Sequence, residues 1–150
     1  MTSTTQPRWL SEEDQKTWRT YLRATQEVQT KLDKDLATYG LSLNEYEVMV
    51  VLSEQPDHTI RMSALAENLV NSRSRLTHTV HRMERRGFVE REACADDGRG
   101  VNCRLTEEGF DFLSEVAPVH VDSVRRHIFD HLTAEQAAAL GEILGLLAQD

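Results

Sequence analysis

The chain has 150 residues, of which 39% are hydrophobic and 28% charged, and its net charge at neutral pH is −8. These proportions fit one globular domain, or one domain with a dimerisation extension, and they exclude a disordered polyelectrolyte. No apolar run approaches the length that crosses a bilayer, and residues 1–10 have the composition of a short disordered tail without a secretion signal. We therefore expect a cytoplasmic protein that makes no membrane contact.

Helical periodicity begins at Ser11, which is followed three residues later by Asp14 in a pattern similar to a capping box. Apolar residues then recur at helical spacing as far as Leu36, and Gly40 ends the run. The pattern predicts one long helix over residues 11–38.

Three short elements are expected next. Ser42 and Glu45 form a second capping box that starts a short buried helix, and the segment TIRM that follows suits a very short strand. Ser63 is expected to cap a third helix, in which Leu65 and Leu69 face inward.

The fourth helix is predicted to run from Asn71, its N-terminal cap, to Arg86, with Gly87 as its terminator. The segments FVEREAC and VNCRL then flank the turn ADDGRG. Alternating residues on both sides of a Gly-rich turn predict an antiparallel β-hairpin.

Two helices close the chain. Thr106 caps the fifth, which Pro118 should kink rather than end because the apolar periodicity resumes after it. Thr133 and Gln136 form the capping box of the last helix. Both helices carry apolar stripes that a single small domain cannot fully cover.

The element order predicts a mainly α fold, a winged helix-turn-helix with a short β-hairpin wing and additional helices at both ends. We assign the winged lobe to residues 42–105. The flanking helices, residues 11–38 and 107–150, are then available for dimerisation, and the whole domain spans residues 11–150.

Positive charge is concentrated in residues 61–104, which hold nine arginines, no lysine and six acidic residues, for a local charge of about +3. The rest of the chain carries about −11, because the total is −8. Binding responds to the field at the contact surface, so this segment favours a polyanionic partner despite the acidic total.

The fourth helix has two contrasting faces on a helical wheel. Leu76, Val80 and Met83 cluster on one side. The opposite side is rich in hydrogen-bond donors and carries Ser74, Arg75, His78, His81, Arg82 and Arg85. This is the chemistry of a helix that enters the major groove of DNA, where arginine bonds guanine through two acceptors at once.

The hairpin tip has a signal of its own in the sequence DDGRG. Arg99 stands between two glycines, which allow a tight turn and leave the guanidinium accessible. An arginine at a loop tip suits the narrow minor groove, and Asp97 is placed to orient it through a salt bridge. We expect the wing tip to contact DNA.

Taken together, these motifs resemble the MarR family of bacterial transcriptional regulators. The resemblance rests on the segment MSALAENLVNSRSRLTHTVHRMERRGFVERE, the wing DDGRGVNCRLTEEG and the closing HLTAEQAAALGEIL. The family's wing pattern is met by Asp97, Arg99, Leu105, Thr106 and Gly109. The similarity extends over nearly the whole chain, from about Ser11 to Leu147.

The resemblance implies a homodimer in which the first, fifth and sixth helices of both subunits interlock. The two winged lobes would occupy successive major grooves of a pseudopalindromic DNA site. Family members usually repress transcription and are released by a small ligand. The implied groove contacts are Ser72, Arg73, Ser74, Arg75, Thr77 and His78, and the implied minor-groove contact is Arg99.

The effector is harder to predict. The resemblance implies an effector site between the dimerisation helices and the DNA-binding lobe, and Trp18, Arg19 and Tyr21 are candidates to line it, where an arginine beside aromatic rings suits an aromatic acid. The favoured interpretation of Trp18 and Tyr21 is that both belong to the dimer core. His127 and His131 have a spacing that a metal can bridge. A solvated helix end explains them more simply, so we predict no metal and no other cofactor.

Cys94 and Cys103 are equally distant in sequence from the point between Gly98 and Arg99 and are expected to face each other across the hairpin. Structural thiols are the favoured interpretation, and a redox-responsive regulator is the alternative. A winged-helix interaction module without DNA binding is a further alternative. The chain has no Gly-rich phosphate loop, nucleophile elbow or paired carboxylates in a cleft, so we predict that it is not an enzyme.

Overall fold

A computed structural model describes residues 6–70, 73–96 and 98–148. The elements are α1 (Glu12–Ala37), α2 (Leu43–Ser53), β1 (Thr59–Arg61), α3 (Met62–Asn68), α4 (Leu76–Arg85), β2 (Val89–Ala93), β3 (Val101–Leu105), α5 (Glu107–His127) and α6 (Ala134–Leu147). Helix α3, the connection after it and α4 form the helix-turn-helix, and β2 and β3 form the wing. The predicted mainly α fold with a β-hairpin wing is confirmed.

Side-chain caps fix several helix starts where the sequence predicts them. The Ser11 hydroxyl accepts a hydrogen bond from the backbone N–H of Asp14 at 3.0 Å. The Ser42 hydroxyl accepts one from the backbone N–H of Glu45 at 3.1 Å and donates to the Glu45 carboxylate. At α6 the reciprocal capping box is complete. These contacts satisfy backbone donors that have no partner within the helix.

Two predicted helix starts are wrong. Helix α3 begins at Met62 because β1 runs directly into it, so the extended Arg61 occupies the cap position and Ser63 lies inside the helix. Helix α4 begins at Leu76 and not in the Asn71 region, because the residues just before it, Arg73–Arg75, form a 3₁₀ turn. The predicted cap itself, Asn71, lies outside the described residues.

The hydrophobic core of the described residues lies within the winged lobe. Its fully buried members include Met49 and Leu52 of α2, Leu65 of α3 and Val80 and Met83 of α4. The ends of the long helices reach the same core through Leu36 of α1 and Val116 of α5. The winged lobe is therefore packed against both helices that lead away from it.

The sheet contains a third strand beside the predicted hairpin, in the order β1-β3-β2 with antiparallel pairing. Val89 pairs with Leu105, which centres the hairpin on residue 97. Cys103 therefore stands opposite Arg91 and Ile60, while the backbone N–H of Cys94 bonds to the carbonyl of Gly100 at 2.9 Å. The expectation that the two cysteines face each other is wrong, because the strand pairing centres the hairpin on residue 97 and not between Gly98 and Arg99.

A polar cluster joins α1 to α5. The Asp35 carboxylate accepts hydrogen bonds from the buried Ser123 hydroxyl at 2.6 Å, from His127 Nε2 at 2.8 Å and from Arg126 Nη2 at 3.3 Å. The bonds from Ser123 and His127 hold the pKa of this carboxyl below its ordinary value, and the Arg126 charge acts in the same direction. Helix α5 itself continues through Pro118.

Helix α6 buries none of its residues, although its sequence is strongly apolar. Ile143, Leu146 and Leu147 keep 55%, 66% and 69% of their surface exposed, and on α1 Trp18 and Leu22 are about half exposed. Apolar faces this open on two terminal helices mark an interaction surface. None of the helices in the described parts of the chain is long and apolar enough to cross a membrane.

Candidate nucleic-acid interface

Helix α4 is held by one buried face. Leu76, Thr79, Val80 and Met83 are buried, Thr79 in addition to the three residues that the apolar spacing predicts. With these side chains fixed in the core, the opposite face is turned to solvent. The predicted contact residues of that face are therefore presented on a rigid support.

An open groove of about 540 Å³ lies along the N-terminal half of α4. It is lined by Arg73, Ser74, Arg75, Leu76, Thr77, His78, His81 and Arg91. The sequence predicts contact with DNA for six of these residues. Arg91 is the residue that sequence reasoning missed, because it belongs to β2 and reaches the groove only through the fold.

Arg73 has a structural role at the edge of this groove. Its Nε donates to the carbonyl of Leu69 at 2.9 Å, and its Nη2 donates to the carbonyl of Glu67 at 2.8 Å. These carbonyls belong to the last turn of α3 and its cap, where a cation is favourable. Arg73 thus fixes the turn between the two helices of the motif.

Arg82 is not among the residues of the groove, although it was predicted to contact DNA. Its Nη2 lies 3.9 Å from the Glu45 carboxylate of α2, and its side chain is 48% exposed. Arg86 meets the other oxygen of Glu45 at 3.4 Å and covers the ring of Phe88 at 4.7 Å. This end of α4 is tied to α2.

Two acidic side chains of the winged lobe, Glu84 on α4 and Glu90 on β2, are paired with arginines. Glu84 accepts from Arg91 Nη2 at 3.1 Å and from the Arg91 backbone N–H at 3.0 Å, and these bonds lower its pKa. Glu90 pairs with Arg104 across the wing. Their negative charges are thus compensated locally, and exposed Arg75 and Arg85 leave this side of the lobe cationic.

The wing tip is tightly built around Gly100. A Cβ at this position would lie 2.8 Å from Cys94 Sγ and 2.9 Å from Arg61 Nη2, closer than side chains tolerate. Arg99 beside it is exposed. The other two predicted contacts, Ser72 and Asp97, lie outside the described residues.

Comparison with known proteins identifies the family to which the winged lobe belongs. Residues 41–101 match the model of the MarR family. The transcriptional regulator PecS of Dickeya dadantii (strain 3937) is 31% identical over 115 residues, which cover 76% of this chain and 69% of PecS. The chain belongs to the MarR family of transcriptional regulators.

Two solved structures resemble this MarR family regulator over most of its length. AbsC, a MarR family regulator from Streptomyces coelicolor, is 43% identical with a TM-score of 0.87, and the match covers 95% of this chain and 96% of AbsC. Sco3205 from the same organism, solved in complex with DNA, is 43% identical with a TM-score of 0.89 and coverages of 95% and 90%. Membership in this family makes the chain a DNA-binding regulator and not an enzyme, as predicted.

The wing of this MarR family regulator is locked to α5 through Thr106. The Thr106 hydroxyl donates to the carbonyl of Gly87 at 2.6 Å and accepts from the backbone N–H of Gly109 at 3.0 Å. The Thr106 backbone N–H donates to the carbonyl of Phe88 at 3.0 Å. A Cβ on Gly109 would lie 2.2 Å from that same carbonyl oxygen. The wing and α5 therefore meet backbone to backbone.

The thiols of this MarR family regulator are both free and both buried. Burial raises the pKa of Cys103 to about 12, so this thiol is not a nucleophile near neutral pH. Cys94 Sγ donates to the Asn102 side-chain oxygen at 3.0 Å. Cys103 is thus buried within the sheet and Cys94 is buried beside Gly100 near the wing tip, which favours the structural interpretation over a redox switch.

The proposed effector residues lie on the open face of α1. The rings of Trp18 and Tyr21 stack with centroids 6.0 Å apart, yet 51% and 43% of their surfaces remain exposed, and Arg19 is exposed too. One chain by itself does not enclose a ligand there. No cluster of three or more potential metal ligands occurs within residues 6–70, 73–96 and 98–148, and His127 is engaged by Asp35.

Proposed function

We propose that this MarR family protein is a homodimeric repressor that binds a pseudopalindromic operator and is released by a small molecule. Helix α4 of each subunit enters a major groove, and Arg99 of each wing reaches the adjacent minor groove. The observation that carries the proposal is the cationic groove along α4, whose lining combines arginine, histidine and hydroxyl side chains on one rigid surface.

Dimer formation is supported by the apolar faces that the single chain leaves exposed. The whole of α6 and the first half of α1 present tryptophan, tyrosine, leucine and isoleucine side chains to solvent. A second copy supplies a matching apolar surface through a two-fold axis. Two α4 helices related by that axis read two half-sites about one helical turn of DNA apart.

Within each half-site the contacts divide by chemistry. Ser74 and Thr77 suit phosphate oxygens near the start of α4, while Arg75, His78 and His81 suit base edges. Arg73 steadies the turn, and Ser72 and Asp97 complete the contact set that the family motif implies. The regulator acts in the cytoplasm, where bacterial chromosomal DNA is found.

Release is assigned to a small effector, and an aromatic acid fits the side chains best. Trp18 and Tyr21 offer stacking surfaces, and Arg19 offers a partner for a carboxylate. The partner subunit closes this site when the two α1 helices meet. An effector there changes the angle between dimerisation helices and DNA-binding lobes, which alters the spacing of the two α4 helices.

The test is selection of bound sites from fragmented genomic DNA with the purified protein. We expect enrichment of a pseudopalindrome, and binding to it should weaken steeply with salt because phosphate contacts release counterions. Six to ten such contacts lower affinity roughly 10³- to 10⁵-fold between 50 and 200 mM salt. Recovery of no common sequence, or binding that is insensitive to salt, would overturn the proposal.

Two variants separate positioning from base reading. Arg99→Ala should lower affinity on every sequence, since it removes a minor-groove contact that senses shape. Arg75→Ala should also relax base preference, by roughly 1–3 kcal/mol per lost base contact. Equal losses on matched and scrambled duplexes would show that Arg75 does not read bases.

A further inference from the structure

A clamp connects the wing to α4. The guanidinium and the backbone N–H of Arg91, on β2, both bond to the Glu84 carboxylate of α4, with Nη2 at 3.1 Å and the backbone N–H at 3.0 Å. Both side chains are about one-third exposed, so water screens the pair only in part. This clamp fixes where the Arg91 guanidinium lies relative to α4.

The same guanidinium also meets His81. Arg91 Nη2 lies 3.4 Å from His81 Nδ1, at the edge of the groove. Arginine carries only donors, so Nδ1 must accept through its lone pair, and the ring hydrogen then resides on Nε2. The two ring nitrogens point in different directions, which leaves Nε2–H directed away from the clamp.

We propose that Arg91 is a positioning residue that holds His81 as the neutral Nε2–H tautomer, so that His81 reads a base presenting an acceptor in the major groove. This inference rests on the proposed DNA-binding function. The suitable acceptors are N7 of a purine, O6 of guanine and O4 of thymine. The opposite tautomer would place an acceptor at Nε2 and would instead suit the amino groups of adenine or cytosine.

Four basic side chains line the groove together with His81. Arg91 faces it from β2, His78 shares its groove on α4, and Arg73 and Arg75 approach from the 3₁₀ turn. Glu84, which interacts with His81 electrostatically, is bonded to Arg91. Adding a proton at Nδ1 would direct an N–H group at the Arg91 guanidinium and break the contact.

The direct test is the nitrogen spectrum of the histidine rings in the native protein. Long-range ¹H–¹⁵N correlation above neutral pH distinguishes the two neutral tautomers, and His81→Gln assigns the signal. We expect the Nε2–H form for His81 in the wild type. The Nδ1–H form, or rapid exchange between the two tautomers, would overturn the proposal. This result needs no substitution at Arg91 or Glu84.

The functional test compares base preferences after selection from a randomised duplex library. His81→Ala should lose preference at one position in each half-site. Replacing the preferred base by an analogue without one acceptor should weaken wild-type binding about fivefold to hundredfold and leave His81→Ala unaffected. The analogues are a 7-deazapurine for N7, 2-aminopurine for guanine O6 and 5-methylpyrimidin-2-one for thymine O4. Wild-type binding that none of these analogues weakens would contradict the proposal.

The clamp itself has a matched control in the wing. Glu84→Gln with Arg91→Met removes the clamp without changing net charge, and Glu90→Gln with Arg104→Met removes the other wing ion pair in the same way. Only the first double variant should lose preference at the His81 position. Retention of that preference would overturn the role of Arg91. If the wild type selects no sequence at all, it is the proposed DNA-binding function that fails, and the ring spectrum still tests the tautomer.

Discussion

Gly109→Ala is the sharpest test of how the wing is joined to α5. An added Cβ would lie 2.2 Å from the Phe88 carbonyl oxygen and 2.8 Å from Leu105 Cδ1. Both neighbours belong to the packed base of the wing, and the carbonyl oxygen is backbone, which moves only if the whole turn moves. The substitution must therefore push β2 and α5 apart by about 1 Å.

The cost can be worked from the contacts at this junction. Overpacking of this kind costs about 1–3 kcal/mol. The Phe88 carbonyl also accepts a hydrogen bond from the Thr106 backbone N–H at 3.0 Å, which is worth about 1 kcal/mol. Alanine regains about 1 kcal/mol of helix propensity over glycine. The net loss should be about 2 kcal/mol in the free energy of unfolding.

The assay is chemical denaturation at one fixed protein concentration, because the proposed dimer would make apparent stability depend on concentration. Gly98→Ala in the turn of the wing is the matched control, since a Cβ there meets nothing within 4 Å. We expect it to change the free energy of unfolding by less than about 1 kcal/mol. Equal stability of the two variants would refute the close approach of the wing to α5.

Two further predictions concern ionisable groups. Asp35→Asn should lower the free energy of unfolding by about 1–2 kcal/mol at neutral pH, because a carboxylate binds Ser123 and His127 more strongly than an amide does. The pKa of Asp35 in the folded protein lies below its ordinary value of 3.8. The stability advantage of the wild type is therefore complete above pH 3.8 and should fade as the pH falls through the folded pKa, which denaturation from about pH 7 to 3 will show. A difference in stability between wild type and variant that stays constant with pH would contradict the assignment. In the native protein Cys103 should resist thiol reagents near neutral pH and react only after unfolding, because burial raises its pKa to about 12. Mass spectrometry counts the labels and maps them to a cysteine. Rapid labelling of Cys103 in the native protein would contradict this prediction and show that the wing opens.

Much of the fold could be predicted from the sequence because its signals are local. Caps at Ser11, Thr106 and Thr133 act within one helical turn, and apolar spacing identifies the face of α4 that Val80 and Met83 bury. These signals depend on neighbours three or four residues away. They survive in the folded chain because tertiary packing here agrees with them.

The errors arose where distant elements decide the local structure. Ser63 looks like a cap only if β1 is ignored, and the hairpin turn is fixed by pairing along the strands rather than by its glycines. The bonds of Arg73 to the carbonyls at the end of α3 could not be predicted either, because they depend on the turn between the helices, and its contact with DNA stays a prediction. Arg91 was missed as a groove residue because only the pairing of β2 brings it beside α4.

The central claim, that two copies act together on one duplex, is tested most directly by the mass of the protein–DNA complex. Sedimentation or light scattering with a duplex carrying one selected site should give two chains of 17.1 kDa per duplex, and the protein alone should already be a dimer. One chain per duplex, or a protein that stays monomeric and ignores every duplex at low ionic strength, would contradict the account.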